Sequence, residues 1–359
     1  MNERLASPVV NKDRSVTFNL KNEYAKTVEV SGDFVFGPER HVLDARTPMK
    51  KGPGSVWTLT SLPMLPGTYG YMYVVDGLRT LDPLNPLIRR VAEPFRPLGL
   101  RMNIVRIEAD EPMPWDVFSD IPHGRVVIEK FYSETLRQVK GCTFYLPPDY
   151  KPAQEYPVLY LLHGGGNDYL SWIFDEATDN IMDYLIYKGK AREMIVAMPD
   201  GQVGAFGALI GAPPAERRRL AELHEDYFFK EVMPFVESRY RVSRYTRTIA
   251  GLSMGGMQTS AIVTAHPEIF AAAGIFSSGA SDQARERIPS IKDRLNGLKL
   301  LYVSCGNWDT LVQERNRALC TQLDENGIRY VYMSADAGHV AAFWQRSLVD
   351  YVSRLSQIP

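Results

Sequence analysis

The sequence predicts an α/β domain with a mostly parallel central sheet, preceded by a small all-β domain. Before residue 108, short segments alternate polar and apolar residues between glycines and prolines, and no long helical pattern occurs. After residue 123, continuous apolar runs alternate with amphipathic stretches. This second pattern is typical of parallel strands covered by helices on both faces. A chain of 359 residues is long enough for two such units.

The first part of the chain is predicted to form a β-sandwich, because strands separated by glycine and proline turns favour that architecture. The predicted strands are Ser15–Leu20, Thr27–Ser31, Val56–Thr60 and Tyr69–Val75. Residues 109–122 contain three prolines and little periodicity, which indicates a linker. The predicted domains are therefore residues 1–108 and 123–359, joined by residues 109–122.

The second part alternates predicted strands and helices. The strands are Val158–Leu162, Met194–Met198, Thr248–Ala250, Ala272–Phe276, Leu300–Ser304 and Tyr330–Met333. The helices are Ala177–Lys188, Glu216–Tyr240, Met254–Ala265, Gln313–Asn326 and Ala341–Leu355. Two earlier β-like segments, Val126–Tyr132 and Gly141–Leu146, are expected to form an antiparallel edge of the same sheet.

Composition excludes several classes of protein. A net charge of -1 gives no electrostatic reason to expect nucleic acid or an anionic membrane as partner. Three cysteines without a C-x-x-C pair predict neither a disulfide framework nor a thiolate zinc site. We therefore expect no metal and no cofactor. The oligomeric state, a homo-oligomer included, stays open.

The beginning of the chain has no apolar core of the kind found in signal peptides. The longest strongly apolar runs, such as Val158–Leu162, are too short to cross a bilayer. The chain as written is therefore expected in the cytoplasm. Removal of an export signal from the natural protein would instead predict secretion.

A serine motif carries the first functional prediction. The motif is Gly251-Leu252-Ser253-Met254-Gly255. A predicted strand precedes it and a predicted helix follows it, which is the context of a nucleophile elbow. The two glycines leave room for the neighbouring strand and helix. Ser253 is therefore the predicted nucleophile, and the N–H group of Met254 is a predicted donor to an oxyanion.

Only two histidines follow Ser253 in the chain, and one of them fits a general base. His266 precedes Pro267 at the end of the helix, where the pair is typical of a helix stop. His339 lies just after the last predicted strand, at the sheet edge where a catalytic base is expected. We therefore predict His339 as the base.

The base needs a carboxylate that orients its ring. Asp309 follows the predicted strand Leu300–Ser304 and is the favoured partner of His339. Asp282 and Asp336 are the alternatives, although Asp336 is only three residues from the histidine.

A glycine-rich loop after the strand Val158–Leu162 is predicted to complete the oxyanion hole, because glycine lets the backbone approach an oxyanion closely. Gly165 is the preferred donor and Gly164, which also adjoins the substrate, is the next candidate. His163 is expected to hold this loop and not to act as a base.

Substrate contacts are predicted from aromatic residues near the site. The candidates are Trp172, Trp308, Phe343 and Trp344, whose alternative is ordinary core packing. The segment Gly201–Leu223 is expected to form part of a lid or pocket wall. Its three arginines, 217–219, lie on a solvated helix face or meet an acidic substrate.

These motifs resemble the esterase D group of α/β hydrolases, which includes feruloyl, acetylxylan and enterobactin esterases. The matching segments are Tyr156–Gly166, Asp226–Tyr240, Gly251–Gly256, Cys305–Asp309 and Gly338–His339 with Trp344. The first part is similar to an immunoglobulin-like early-set sandwich of the glycogen-binding, carbohydrate-binding type. Its matching segments are Val28–Asp33, Val56–Trp57, Pro66–Tyr71, Val75–Gly77 and Asp82–Pro86.

The resemblance implies a serine esterase that acts on feruloyl or acetyl esters of plant polysaccharide, either as small molecules or attached to the polymer. A siderophore trilactone esterase is the second hypothesis, and the absence of an export signal favours it. An acyltransferase with the same triad is the third. A non-catalytic glycan-binding protein is the alternative from another class, and the full set of Ser253, Asp309 and His339 argues against it.

Overall fold

A computed structural model describes residues 5–36, 46–88, 102–204 and 212–358. The first part of the chain contains only strands and one 3₁₀ turn within these ranges. The strands are β1 (Val9–Val10), β2 (Val16–Lys21), β3 (Val28–Gly32), β4 (Arg46–Pro48), β5 (Lys50–Lys51), β6 (Val56–Thr60), β7 (Gly67–Val75), β8 (Leu78–Thr80) and β9 (Asn103–Ile107).

These strands form two antiparallel sheets, which confirms the predicted sandwich. One sheet has the order β1-β2-β6-β5, and the other has the order β4-β3-β7-β8, with β9 paired to the first half of β7. Alternation along β2 buries Val16, Phe18 and Leu20 between the sheets. The Phe18 ring lies 4.8 Å from the Tyr71 ring of the opposite sheet, so that aromatic packing closes this core.

The second part contains one eight-stranded sheet with helices on both faces. Its strands are β10 (Arg125–Ser133), β11 (Gln138–Leu146), β12 (Tyr156–Leu162), β13 (Ile195–Pro199), β14 (Val242–Leu252), β15 (Ala272–Phe276), β16 (Leu300–Ser304) and β17 (Val331–Met333). Its helices are α1 (Ser171–Phe174), α2 (Thr178–Tyr187), α3 (Pro214–Tyr227), α4 (Met233–Arg239), α5 (Met254–Ala265), α6 (Asp282–Arg287), α7 (Lys292–Asn296), α8 (Gln313–Glu325) and α9 (Ala341–Leu355). No helix in the described ranges is both long and apolar enough to cross a bilayer.

The sheet order is β10-β11-β13-β12-β14-β15-β16-β17. β10 and β11 are antiparallel, as predicted, and all pairs from β13 onward in this order are parallel. The predicted bounds of α5 and α9 are confirmed to the residue. The single helix predicted over Glu216–Tyr240 is observed as a continuous helical run from Pro214 to Arg239, in which a π-helical segment, Phe228–Val232, joins α3 to α4.

The register of the parallel strands aligns their carboxyl ends. Leu252 pairs with Phe276, Phe276 with Ser304, and Ser304 with Met333. The loops after β14, β16 and β17 therefore leave the sheet at one edge. Residues 253, 309 and 339 follow these three strands, so that the fold brings them to the same side of the molecule.

The sandwich packs directly on helix α9. A methyl group added to Gly67 would lie 2.6 Å from Cβ of Ala342, which shows how closely the two backbones approach. Arg346 donates to the carbonyl oxygen of Pro66 at 3.1 Å, and its guanidinium lies 4.8 Å from the ring centre of Trp115. Residues 108–124, which include the predicted linker, contain no helix or strand.

Candidate active site

Ser253 occupies a strained turn between β14 and α5. Its φ of 52° and ψ of −115° are an unusual conformation for a residue with a side chain. Its N–H donates to the carbonyl oxygen of Phe276 at 2.9 Å, which helps to hold the turn in place. A Cβ at Gly251 would lie 2.4 Å from the carbonyl oxygen of Gly255, and one at Gly255 would lie 2.4 Å from that of Leu162. The turn therefore requires glycine at both positions.

His339 and Asp309 form a buried pair after β17 and β16. Nδ1 of His339 lies 2.8 Å from Oδ2 of Asp309, and Asp309 is 0% exposed. Because an ionised carboxylate only accepts hydrogen bonds, the ring donates from Nδ1 and keeps Nε2 available to accept a proton. The Trp344 ring stands nearly perpendicular to the imidazole, with 5.0 Å between the ring centres.

The other candidate acids and the other histidine lie elsewhere. Asp282 pairs with Arg217 at 3.0 Å, and its side chain is 59% exposed. The exposed Asp336 accepts a hydrogen bond from Asn307 at 2.7 Å. His266 lies at the end of α5, beside two glutamates and away from Asp309. Among these candidates, the structure brings only Asp309 into contact with His339.

The glycine loop packs against the elbow through Gly164. A Cβ on Gly164 would lie 2.5 Å from Cδ1 of Leu252 and 3.5 Å from Cβ of Ser253. Gly165, the preferred donor in the sequence analysis, is exposed in the adjoining turn. Gly164 is thus the residue of this loop that the structure places beside the nucleophile.

His163 ties this loop to the neighbouring strand end. Its Nδ1 donates to the carbonyl oxygen of Gly164 at 2.8 Å, and Gly201 N–H donates to its Nε2 at 3.0 Å. A carbonyl can only accept and an N–H can only donate, so the proton of the ring lies on Nδ1. With both nitrogens engaged, His163 holds the loop and has no free nitrogen for base catalysis.

Behind His163 lies a buried ion pair that the sequence analysis missed. Lys140 of β11 is 3% exposed, and its Nζ lies 2.8 Å from Oδ2 of Asp200 and donates to the carbonyl oxygen of Gln202. Burial raises the pKa of Asp200, but its polar contacts, the ion pair with Lys140 among them, more than reverse this effect and bring it to about 2. The sequence signal was Asp200 itself, a carboxylate at the end of a predicted strand.

The predicted aromatic contacts divide into two groups. Trp344 lies against His339, and Trp308 is partly buried next to Asp309. Trp172 is 1% exposed, Phe343 is fully buried, and Trp344 is 9% exposed; all three belong to the hydrophobic core. The burial of Trp172 and Phe343 argues against direct contact of these two side chains with a substrate.

A cavity of about 240 Å³ adjoins the elbow at Met254 and is bounded by α3, α5 and α6. Arg217 of the predicted pocket wall lines it. Residues 205–211 of that segment lie outside the described residues. Where the chain is described, no three His, Cys, Asp or Glu side chains converge in a way that would hold a metal ion.

The eight-stranded, mostly parallel sheet and the strained serine elbow define an α/β hydrolase. The sequence model of the esterase family described as "Putative esterase" matches residues 133–355. The chain belongs to this family. The resemblance to esterases is therefore confirmed.

Relatives and solved structures agree with this class. An endo-1,4-beta-xylanase/feruloyl esterase of Xylanibacter ruminicola is 31% identical over 84% of this chain, which spans 39% of the length of that relative. A solved ferulic acid esterase is 25% identical and covers 66% of this chain and 100% of its own, with a TM-score of 0.58. The enterobactin esterase FES from Shigella flexneri has a TM-score of 0.67 over 96% of this chain and 93% of its own, at 17% identity.

Proposed function

We propose that the protein is a serine esterase that cleaves feruloyl or acetyl esters of plant polysaccharide through an acyl-enzyme on Ser253. One observation carries the catalytic part. The buried His339–Asp309 pair and the strained Ser253 turn lie at the same edge of one sheet. Such a nucleophile and an oriented base are the two groups that acyl transfer needs.

In the proposed reaction, Nε2 of His339 takes the proton of Ser253 Oγ while that oxygen attacks the ester carbonyl. The Met254 N–H and a glycine N–H of the loop, from Gly165 or Gly164, stabilise the oxyanion. His339 then gives its proton to the departing alcohol. A water molecule, deprotonated by His339, attacks the acyl-enzyme, and Ser253 leaves with that proton as the acid is released.

The substrate class is supported by the relative from Xylanibacter ruminicola. Its name couples xylan cleavage with feruloyl ester cleavage, and the match extends over 84% of this chain. A match of that length extends beyond the esterase domain into the sandwich. The Trp344 ring, with its centre 5.0 Å from that of His339, would suit an aromatic acyl group next to the nucleophile.

A siderophore trilactone ester is the second candidate substrate. The solved enterobactin esterase covers 96% of this chain, whereas the ferulic acid esterase covers 66%. The arrangement of both parts, sandwich and hydrolase, is therefore common to this chain and that enzyme. At 17% identity this likeness concerns the fold alone.

A substrate panel tests the proposal. Methyl ferulate, acetylated xylan, a trilactone siderophore and short nitrophenyl esters are offered to the protein and to its Ser253→Ala variant. We expect hydrolysis of methyl ferulate or acetylated xylan, and its loss in the variant, which still folds. Ser238→Ala, which changes an exposed serine of α4, is the matched control.

Labelling with a fluorophosphonate gives a second readout. The reagent should modify Ser253 in the protein and in the Ser238→Ala control, and it should leave the Ser253→Ala variant unlabelled. Full esterase activity in Ser253→Ala would contradict the catalytic assignment. Cleavage of the trilactone alone would instead select the second candidate.

A further inference from the structure

The cavity beside the elbow runs along one face of α5. Met254, Met257, Gln258 and Ala261 line it, and their spacing places them on a single side of the helix. Met254 is also the proposed oxyanion donor. A substrate whose ester carbonyl lies at Ser253 would therefore reach this cavity with a neighbouring part of the same molecule.

Three arginines from three different helices line the cavity. They are Arg217 of α3, Arg285 of α6 and Arg315 of α8. Arg217 makes two hydrogen bonds to Asp282, at 3.0 and 3.2 Å, so that this pair has little net charge. Nη1 of Arg315 lies 3.9 Å from Sδ of Met257, which shows that its guanidinium extends over the cavity wall.

Arg285 and Arg315 have no acidic partner in the part of the chain that the structure describes. Each is exposed, yet both line the same small cavity. Two uncompensated cations that line one cavity repel each other. An anion placed between them offsets this electrostatic repulsion. A guanidinium is also the side chain best shaped for two parallel hydrogen bonds to a carboxylate.

We propose that this cavity binds a carboxylate carried by the substrate, through Arg285 and Arg315. This inference rests on the proposed function, since it assigns the cavity to the ester that Ser253 attacks. The enzyme then prefers esters with a negative charge near the scissile bond, and an ester of a polysaccharide that contains uronic acid is the natural class that fits.

Two matched substrate pairs test the inference. In the first pair, 4-nitrophenyl hexanoate and mono-4-nitrophenyl adipate differ only by a terminal carboxylate in the acyl part. In the second pair, ethyl ferulate and carboxymethyl ferulate differ by a carboxylate in the alcohol part. The readout is the ratio of kcat/KM for the charged member to that for the neutral member, so that a general loss of activity cancels.

We expect this ratio to fall about tenfold in the Arg285→Gln/Arg315→Gln double variant for one of the two substrate pairs. A tenfold change corresponds to the lower end of the free energies typical of hydrogen bonds to charged groups, because both arginines are exposed. Arg244→Gln is the control, because Arg244 is exposed and lies on β14 at the sheet edge opposite Ser253. It should keep the ratio of the unchanged protein. The preference should also weaken as salt is added.

The inference fails if the unchanged protein shows no preference in either pair, or if the double variant keeps the ratio. Hydrolysis of ethyl ferulate that is lost in Ser253→Ala would, in the same experiment, leave the proposed function standing. No hydrolysis of any of the four esters, or of acetylated xylan offered beside them, would overturn both proposals together.

Discussion

Lys140→Met removes the cation of the buried pair behind the glycine loop. Lys140 is 3% exposed, and its partner Asp200 is 13% exposed. Asp200 adjoins His163, whose Nδ1 donates to the carbonyl oxygen of Gly164 beside Ser253. The substitution keeps a side chain of similar length and takes away the ammonium group, with its charge and its hydrogen bond to the carbonyl oxygen of Gln202. It should therefore lower both the stability of the protein and its rate of turnover.

The expected magnitude follows from the burial of the pair. Loss of one partner of a buried ion pair typically costs about 3–5 kcal/mol, because the other charge stays buried without compensation. The pKa of Asp200 is lowered from 3.8 to about 2. That shift corresponds to about 2 kcal/mol of stability, present above pH 4 and lost as the pH falls towards 2. Since Asp200 retains some exposure, we expect the lower end of this range: the free energy of unfolding of Lys140→Met should be about 3 kcal/mol smaller at neutral pH.

Urea unfolding at pH 7.5 and at pH 4.5 measures the effect. Without the ammonium, burial raises the pKa of Asp200, so that its protonation in acid should narrow the gap between the variant and the unchanged protein. Lys190→Met, which changes an exposed lysine of the same domain, is the matched control. Lys140→Met/Asp200→Asn should recover part of the stability, because it removes the stranded charge as well.

Turnover gives an independent readout of the same variant. A loosened glycine loop positions one oxyanion donor less well, so kcat on nitrophenyl acetate should fall about tenfold with little change in KM. If Lys140→Met unfolds at the same urea concentration as Lys190→Met and keeps its kcat, the reasoning about this network is wrong.

Three further predictions each concern the surroundings of one residue. Burial lowers the pKa of His224 to about 3, so the unfolded chain takes up a proton below pH 6.5 that the folded chain does not. Between pH 6.5 and 5, the free energy of unfolding of the unchanged protein should therefore fall about 2 kcal/mol more than that of His224→Gln. An equal dependence on pH for the two proteins, measured by urea titration, would exclude this. Asp309→Asn should lower kcat about 10³–10⁴-fold in an ester assay through loss of ring orientation, whereas the exposed Asp336→Asn should keep it, and equal effects would point to another acid. Gly67→Ala should lower stability by about 1–3 kcal/mol in thermal unfolding, because its methyl group would lie 2.6 Å from Cβ of Ala342. The double variant Gly67→Ala/Ala342→Gly should recover part of this loss. Full stability of the single variant would contradict the close packing of these two residues.

The elements of the candidate site could be predicted because their signals are local. The strand, the turn at Ser253 and the helix after it lie within residues 242–265, and the contact that requires Gly251 is made with Gly255 inside that turn. His339 and Asp309 each lie in the loop that follows one predicted strand, so that the end of that strand is enough to place each of them. Parallel strands in register then place all three loops at one edge without further information.

The support behind the site could not be predicted, because its contacts join distant parts of the chain. Lys140 is 60 residues from Asp200 and, in the sequence, is one charged residue in a strand of ordinary composition. The π-helical segment within the predicted helix Glu216–Tyr240 had a local signal that the prediction overlooked. Pro234 has no N–H to donate to the carbonyl four residues earlier, and the π-helical segment lies directly before it.

Helix α9 packs against both predicted domains. One side of the helix meets the sheet, where Ser304 Oγ donates to Ser347 Oγ at 2.9 Å, and another side meets the sandwich through Ala342 and Gly67. Buried residues of the sandwich and of α9 belong to one continuous hydrophobic core. Because α9 begins two residues after His339, the sandwich supports the loop of the proposed base through this helix. The predicted linker therefore joins two segments of chain whose buried side chains meet at α9.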